Sequence, residues 1–333
     1  MVFRYSVTAM LLILATGVLA AQIPATPKLH LATPLLNDEP VPILKEARFK
    51  ENWNTIALKD SGLPMESAET IVLNKVDLPE GCTRELMHMQ WRPSDPIDVY
   101  IIRPNRMEKP PVGLFLLNYT FDTAVFRNSY WCNQAKQNRL AIIGFGSALS
   151  VQRFHAPRTM KQWFVSELQE ALSTSTHDVE MILNYVQMRK DLDSQHIGMY
   201  GQGSGGAISI LTAAADPRIS ALQLVDPWGD WPDWIKDSKQ IPEEERSTYL
   251  TPEFLKKVSN LDPVLYLPQL KAKSLRIQQV LSDPVTPQTA KDKLAEAAPR
   301  ADEVVRYADD QAQHRAVSLD GITQWLAQQL HPD

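Results

Sequence analysis

The sequence predicts an α/β domain on a mostly parallel central sheet, with antiparallel N-terminal strands, helices on both faces and a helical lid insertion late in the chain. Three observations predict it. Strand-like runs come first, between residues 71 and 102, and from residue 112 onward apolar strands alternate with helical stretches, which is the order of a parallel sheet. The runs 112–117 and 140–145 are continuously apolar, as strands covered on both faces are. Finally, Tyr200-Gly201-Gln202-Gly203-Ser204-Gly205-Gly206 separates an apolar strand from a helical run, so the chain turns sharply there from strand into helix.

Residues 1–20 have the layout of a secretory signal. Arg4 supplies the positive start, an apolar run spans residues 7–19, and Val18-Leu19-Ala20 offers a cleavage site before Ala21. The run falls short of the about 20 apolar residues of a membrane span. An uncleaved anchor is the alternative, and no nearby cysteine suggests a lipid anchor. The mature chain is therefore expected to be exported (periplasmic or secreted), with no stable membrane insertion. Its about 310 residues suit one large domain or two small ones. The composition is 44% hydrophobic and 22% charged, enough apolar surface for a core. The formal charge of -5 shows no basic patch and gives no nucleic-acid partner.

The only two cysteines are Cys82 and Cys132. Paired in an oxidising compartment, they would close a loop of about 50 residues worth ~4 kcal/mol in the chain-entropy model. Two separate buried thiols is the other reading. No Cys/His spacing suggests a metal site. Residues 21–67 are proline-rich and weakly periodic, an extended arm or a few short helices lying on the main domain, which is expected over 68–331.

Within that domain, 71–76, 86–91 and 97–102 read as strands, followed by the buried strands 112–117 and 140–145. A helical stretch with Trp131 and Cys132 lies between the last two. Residues 146–174 read as an irregular segment. A helix is expected from Ser175, with Ser175 and Asp178 as a capping box and Val179, Ile182, Leu183 and Val186 on one face. The strand at 196–200 leads into the glycine turn and its helix. Strands follow at 221–225, 276–281 and 304–307, and a closing helix at 319–330.

Two chemistries fit the glycine turn. One is a nucleophile elbow, in which a serine is presented on a strained turn beyond the carboxyl end of a strand. The other is a dinucleotide fingerprint: Gly201, Gly203 and Gly206 spell G-x-G-x-x-G, with Asp226 about 20 residues on. That fingerprint belongs in the first strand-helix unit of a domain, whereas several strands precede this turn. If Ser204 is a nucleophile it needs a base and an orienting acid. Asp283 follows a parallel strand in Ser282-Asp283-Pro284-Val285-Thr286-Pro287, and His314 follows the last strand. Asp226 and Asp230 are rival acids. Each has a bland alternative: an inert serine in a phosphate-binding turn, a helix-capping Asp283, a surface His314.

With these residues the chain, over about 68–330, resembles the α/β-hydrolase superfamily, and within it the dienelactone hydrolase, acetyl xylan esterase and prolyl-oligopeptidase-like branch. The resemblance implies a triad of Ser204, Asp283 and His314, with the amides of Gly205 and Tyr119 as oxyanion hole, and no cofactor or metal. The family elbow is G-x-S-x-G, and centred on Ser204 its first glycine position holds Gln202. In this fold a lid begins where Pro227-Trp228-Gly229-Asp230-Trp231 stands, so residues 228 to about 270 are expected to be an insertion. Trp228 and Trp231 are candidates for the pocket wall or for a packed lid core. The segment 146–174, with His155, Phe154, Trp163 and Phe164, is the other wall. The implied function is a serine esterase acting on small acyl or carbohydrate esters. The alternative is a prolyl-oligopeptidase-like peptidase, whose usual β-propeller does not fit in about 70 residues. A non-catalytic hydrolase-like binding protein would need a broken triad, and all three residues are present.

Overall fold

The computed structural model describes residues 50–65, 69–92, 95–119, 121–150, 167–298 and 303–331. The signal at 1–20, most of the arm, and His155, Phe154, Trp163 and Phe164 lie outside them. The described strands form a nine-stranded sheet in the order β1-β2-β3-β5-β4-β6-β7-β8-β9. β1 (Glu69–Leu78), β2 (Cys82–Gln90) and β3 (Ile97–Pro104) form an antiparallel meander. β3 pairs antiparallel with β5 (Ala141–Phe145). From β5 through β4 (Pro111–Leu116), β6 (Asp193–Gln202), β7 (Ile219–Val225), β8 (Ser274–Val280) and β9 (Glu303–Tyr307) all pairing is parallel. β4 and β5 are buried at every residue, which their unbroken apolar sequence requires.

One face of the sheet packs against α2 (Leu168–Met188) and α3 (Ser204–Ala215), through Leu172, Ile182, Ile208 and Leu211 among others. The other face carries α1 (Ser129–Gln137) and the last helix, through Trp131, Leu326 and Leu330. Between β7 and β8 the chain makes four short helices, α4 (Trp231–Asp237), α5 (Glu243–Tyr249), α6 (Pro252–Ser259) and α7 (Pro263–Tyr266). α8 (Gln288–Ala297) connects β8 to β9, and α9 (Asp310–Asp320) and α10 (Gln324–Leu330) end the described chain. The closing helix expected over 319–330 is α10, and α9, which the sequence reading did not give, precedes it. They part at Gly321, whose φ of 74° would strain any other residue.

α2 starts at Leu168, seven residues before the expected start at Ser175. Ser175 does not cap it: its hydroxyl donates to the Ala171 carbonyl one turn back (2.6 Å). The polar run that reads as a helix start is instead a buried polar face, matched to partners on residues 50–65. Ser173 Oγ donates to the Thr55 carbonyl (2.7 Å) and the Leu58 amide donates to Glu180 (2.8 Å). Arg92 joins Glu51 (2.7 Å) to Asp178, and His177 Nδ1 meets Glu51 at 2.6 Å. Burial raises the Glu51 carboxyl, but the His177 and Arg92 bonds outweigh it and hold it at about 2. A buried cluster of this kind fixes the N-terminal segment to α2, and removing one member takes a partner from its neighbours. Cys82 and Cys132 are joined in a disulfide, with Cα atoms 5.8 Å apart, so β2 is stapled to α1.

Candidate active site

β6 and α3 are separated by one residue, Gly203, with φ 56° and ψ −117°. Few L-residues adopt such a conformation, and a side chain held there is strained. The vertex of the turn is therefore Gly203, and Ser204 is the first residue of the helix. This corrects the frame centred on Ser204. A Cβ on Gly201 would lie 2.3 Å from Ser209 Oγ and 2.5 Å from the Gly205 carbonyl, and a Cβ on Gly205 would lie 2.0 Å from the Leu116 carbonyl. The positions two before and two after the vertex must be glycine because helix and strand backbones cross there. The G-x-x-x-G frame is Gly201-Gln202-Gly203-Ser204-Gly205, and its centre carries no side chain. Gln202 then sits just before the vertex, where its bulk is no obstacle.

Three donors converge on one oxygen beside this turn. Asn118 Oδ1, in the loop after β4, accepts from the Tyr119 amide (2.9 Å), from the Ser204 hydroxyl (3.2 Å) and, at the long distance of 3.4 Å, from the Ser204 amide. Two main-chain amides thus face one carbonyl oxygen at the N-terminus of a helix, the Tyr119 amide closely and the Ser204 amide at longer range. The amide that meets Tyr119 in this pair is that of Ser204, not of Gly205, because the vertex lies one residue earlier than the sequence suggests. Tyr119 is held from the far side: Gln240 donates to its hydroxyl (2.6 Å), and its ring packs on Trp228 at 5.8 Å.

Of the other two expected members of the triad, Asp283 lies in the loop after β8 and His314 in the helix after β9. The Asp283 carboxylate accepts the amides of Val285 (3.0 Å) and Thr286 (2.9 Å), closing its own turn. Lys291 Nζ donates to the carbonyls of Val280 (2.5 Å) and Asp283 (3.0 Å) and pins that turn. His314 is on α9, not in a loop, and lines a cavity of about 800 Å³ with Tyr200, Gln202, Val225, Asp310 and Ile322. Ser204 is fully buried and is not part of that lining. Among the described residues no hydrogen bond joins Ser204, Asp283 and His314.

Asp226, the rival acid, has φ 42° at the end of β7 and accepts the Val280 amide at 2.7 Å. Burial pushes its carboxyl up to about 7, and the nearby Asp283 charge adds to this. Asp230 is bound to Lys293 (2.8 Å), away from the turn. Trp228 and Trp231 are 1% exposed and Trp234 is fully buried, their rings packed on one another at 4.7 and 5.8 Å. The tryptophans therefore form a packed core rather than a pocket wall, and the Trp231 indole is spent on the Leu261 carbonyl (3.0 Å).

The same contacts give the dinucleotide reading no support. The side-chain space of Gly201 is filled by Ser209 and the Gly205 carbonyl and that of Gly206 by Pro227, so these two glycines of the fingerprint serve protein packing here. The Asp226 carboxylate is committed to Val280 rather than offered to a ribose. Among the described residues no group of three or more His, Cys, Asp or Glu side chains is placed to hold a metal ion, and no helix is long and apolar enough to cross a membrane.

No family model and no curated relative matches the sequence. Solved structures do. Acetyl xylan esterase 1 from Thermoanaerobacterium sp. superposes with a TM-score of 0.64 at 13% identity, over 84% of this chain and 92% of that one. An acetyl xylan esterase from Paenibacillus sp. gives 0.55 at 17% identity, over 76% and 89%. The acylaminoacyl peptidase of Pyrococcus horikoshii gives 0.57 at 11% identity, over 80% of this chain but 51% of that one. At such identities the likeness is one of fold: this chain has the α/β-hydrolase fold.

Proposed function

We propose that this chain, with its α/β-hydrolase fold, is an exported serine hydrolase of carboxylic esters, acting on small acyl or carbohydrate esters. The observation that carries the reading is the pair of Ser204 and Tyr119 amides on one carbonyl oxygen, a ready site for the charge that ester hydrolysis develops. Acetyl xylan esterases among the structural neighbours support the substrate class. The disulfide supports an oxidising compartment.

In this reading Ser204 Oγ attacks the ester carbonyl carbon and its proton passes to His314. The carbonyl oxygen, now anionic, is held by the Tyr119 amide and by the nucleophile's own amide, an arrangement serine proteases also use. The proton returns to the departing alkoxide, and water then hydrolyses the acyl-enzyme by the same route. Asp283 orients the imidazole. For this His314 must reach Ser204 in place of Asn118. The peptidase alternative has the acylaminoacyl peptidase likeness in its favour, though the chain spans about half of that protein.

One observation favours a second reading. Gly203 occupies the vertex on which this fold presents its nucleophile, so the chain also suits a binding protein that holds a carbonyl or carboxylate without a covalent step. A panel of p-nitrophenyl esters and aminoacyl nitroanilides, run on the mature protein and on Ser204→Ala, separates the two. Ester turnover that falls by at least ~10⁴ in the variant supports hydrolysis; equal, background rates support binding.

A further inference from the structure

Asn118 Oδ1 holds the place a substrate carbonyl must take, because the amides that would bind the substrate oxygen are the ones that bind it. It also fills the space of a vertex side chain. A Cβ on Gly203 would lie 2.7 Å from Oδ1 and 2.9 Å from Cγ of Asn118. The hydroxyl of Ser204 is engaged by the same atom. We propose that the Asn118 carboxamide is a built-in occupant of this site, which the carbonyl or carboxylate of a ligand displaces on binding. This rests on reading the site as that of an ester hydrolase. Asn118 is a positioning residue: it makes and breaks no bond, and it sets how much of the protein is open to substrate. The absent side chain at Gly203 is what leaves it room. Asn118 also borders a small cleft with Asp122 and Ser147.

Occupancy of this kind weakens every ligand by the fraction of protein that is open. With about one molecule in ten open, its removal strengthens binding about tenfold. The test uses the full, disulfide-bonded mature protein with Asn118→Ala and Asn118→Asp, and with Asn118→Ser should the alanine variant not fold. Three quantities are measured: acetate affinity by NMR titration, the rate constant of inactivation by a fluorophosphonate, and kcat and KM for p-nitrophenyl acetate. Asn118→Ala is expected to bind acetate about tenfold tighter, to react faster and to lower KM with little change in kcat. Asn118→Asp does the reverse, since a carboxylate accepts more strongly from the two amides. A folded Asn118→Ala with unchanged or weaker acetate affinity overturns the proposal whatever the turnover shows. Tighter acetate binding without hydrolysis in any variant keeps the occupant and removes the hydrolase reading.

Discussion

The side-chain oxygen of Asn118 accepts the hydroxyl of Ser204 at 3.2 Å, so the serine singled out by the sequence donates to a carboxamide and not to an imidazole. The same oxygen faces the bare Cα of Gly203. The chemistry of the site depends on whether Asn118 yields to a substrate, and its architecture depends on three glycines that allow β6, α3 and the loop after β4 to meet.

Those glycines differ in what they exclude. Gly203→Ala meets a strained φ and a side-chain atom that can move, and is expected to cost about 1–2 kcal/mol. Gly205→Ala meets the Leu116 carbonyl, a backbone atom that cannot give way, and should cost more or prevent folding. Urea denaturation of the two variants checks the order; a Gly205→Ala variant as stable as Gly203→Ala would contradict the packing described.

The disulfide closes a loop of 50 residues between β2 and α1. Replacing both cysteines by alanine is expected to lower stability by about 4 kcal/mol in the chain-entropy model. The same denaturation experiment measures it, and a loss below about 1 kcal/mol would mean that the α1 packing alone holds this edge.

Asp226 gives a pH signature. Its folded carboxyl is raised from 3.8 to about 7, so its contribution to stability is fully present below about 4 and is lost as pH rises through 7. Asp226→Asn keeps an oxygen for the Val280 amide and removes that loss. The variant should match the wild type at pH 4 and exceed it at pH 8 by on the order of 1–3 kcal/mol. Melting curves at both pH values decide, and a less stable variant at pH 8 would be the wrong sign. In kinetics the order reverses: Asp283→Asn should damage turnover far more than Asp226→Asn.

Glu51 acts in the opposite direction. Its carboxyl is held at about 2, below the usual 4.5, so its stabilisation is present above 4.5 and lost as pH falls toward 2. Glu51→Gln removes a charged partner from His177 and from Arg92, which keeps Asp178, and should cost about 1–3 kcal/mol at pH 7 while flattening the loss of stability between pH 5 and 2.5. A variant with the steepness of the wild type over that range would remove Glu51 from the account.

Much of the fold is legible in the chain. The apolar runs of β4 and β5, the strand over 97–102 and the order of strands and helices after residue 112 all appear in the structure because each follows from local pattern. The start of α2 was not legible: its Ser/Thr-rich first turns face Thr55, Glu51 and Arg92, and only those distant partners make a polar run into a buried helical face. The register of the elbow was hidden for a similar reason. The eye goes to Ser204 for its chemistry, whereas the frame is set by where Gly201 meets Ser209 and Gly205 meets Leu116. Three tryptophans in seven residues suggest a binding wall, yet their indoles pack on one another. The loop holding Asn118 and Tyr119 could be named from its place after a buried strand, but that the Asn118 oxygen would face both amides is tertiary information.

The most direct test of the central claim is mass spectrometry of the mature protein after treatment with a fluorophosphonate, which mimics the tetrahedral centre that an oxyanion hole binds. The account predicts a covalent adduct on the peptide carrying Ser204, absent from Ser204→Ala, with ester turnover lost in proportion to labelling. A folded protein that remains unlabelled, with ester turnover no greater than that of Ser204→Ala, would contradict it.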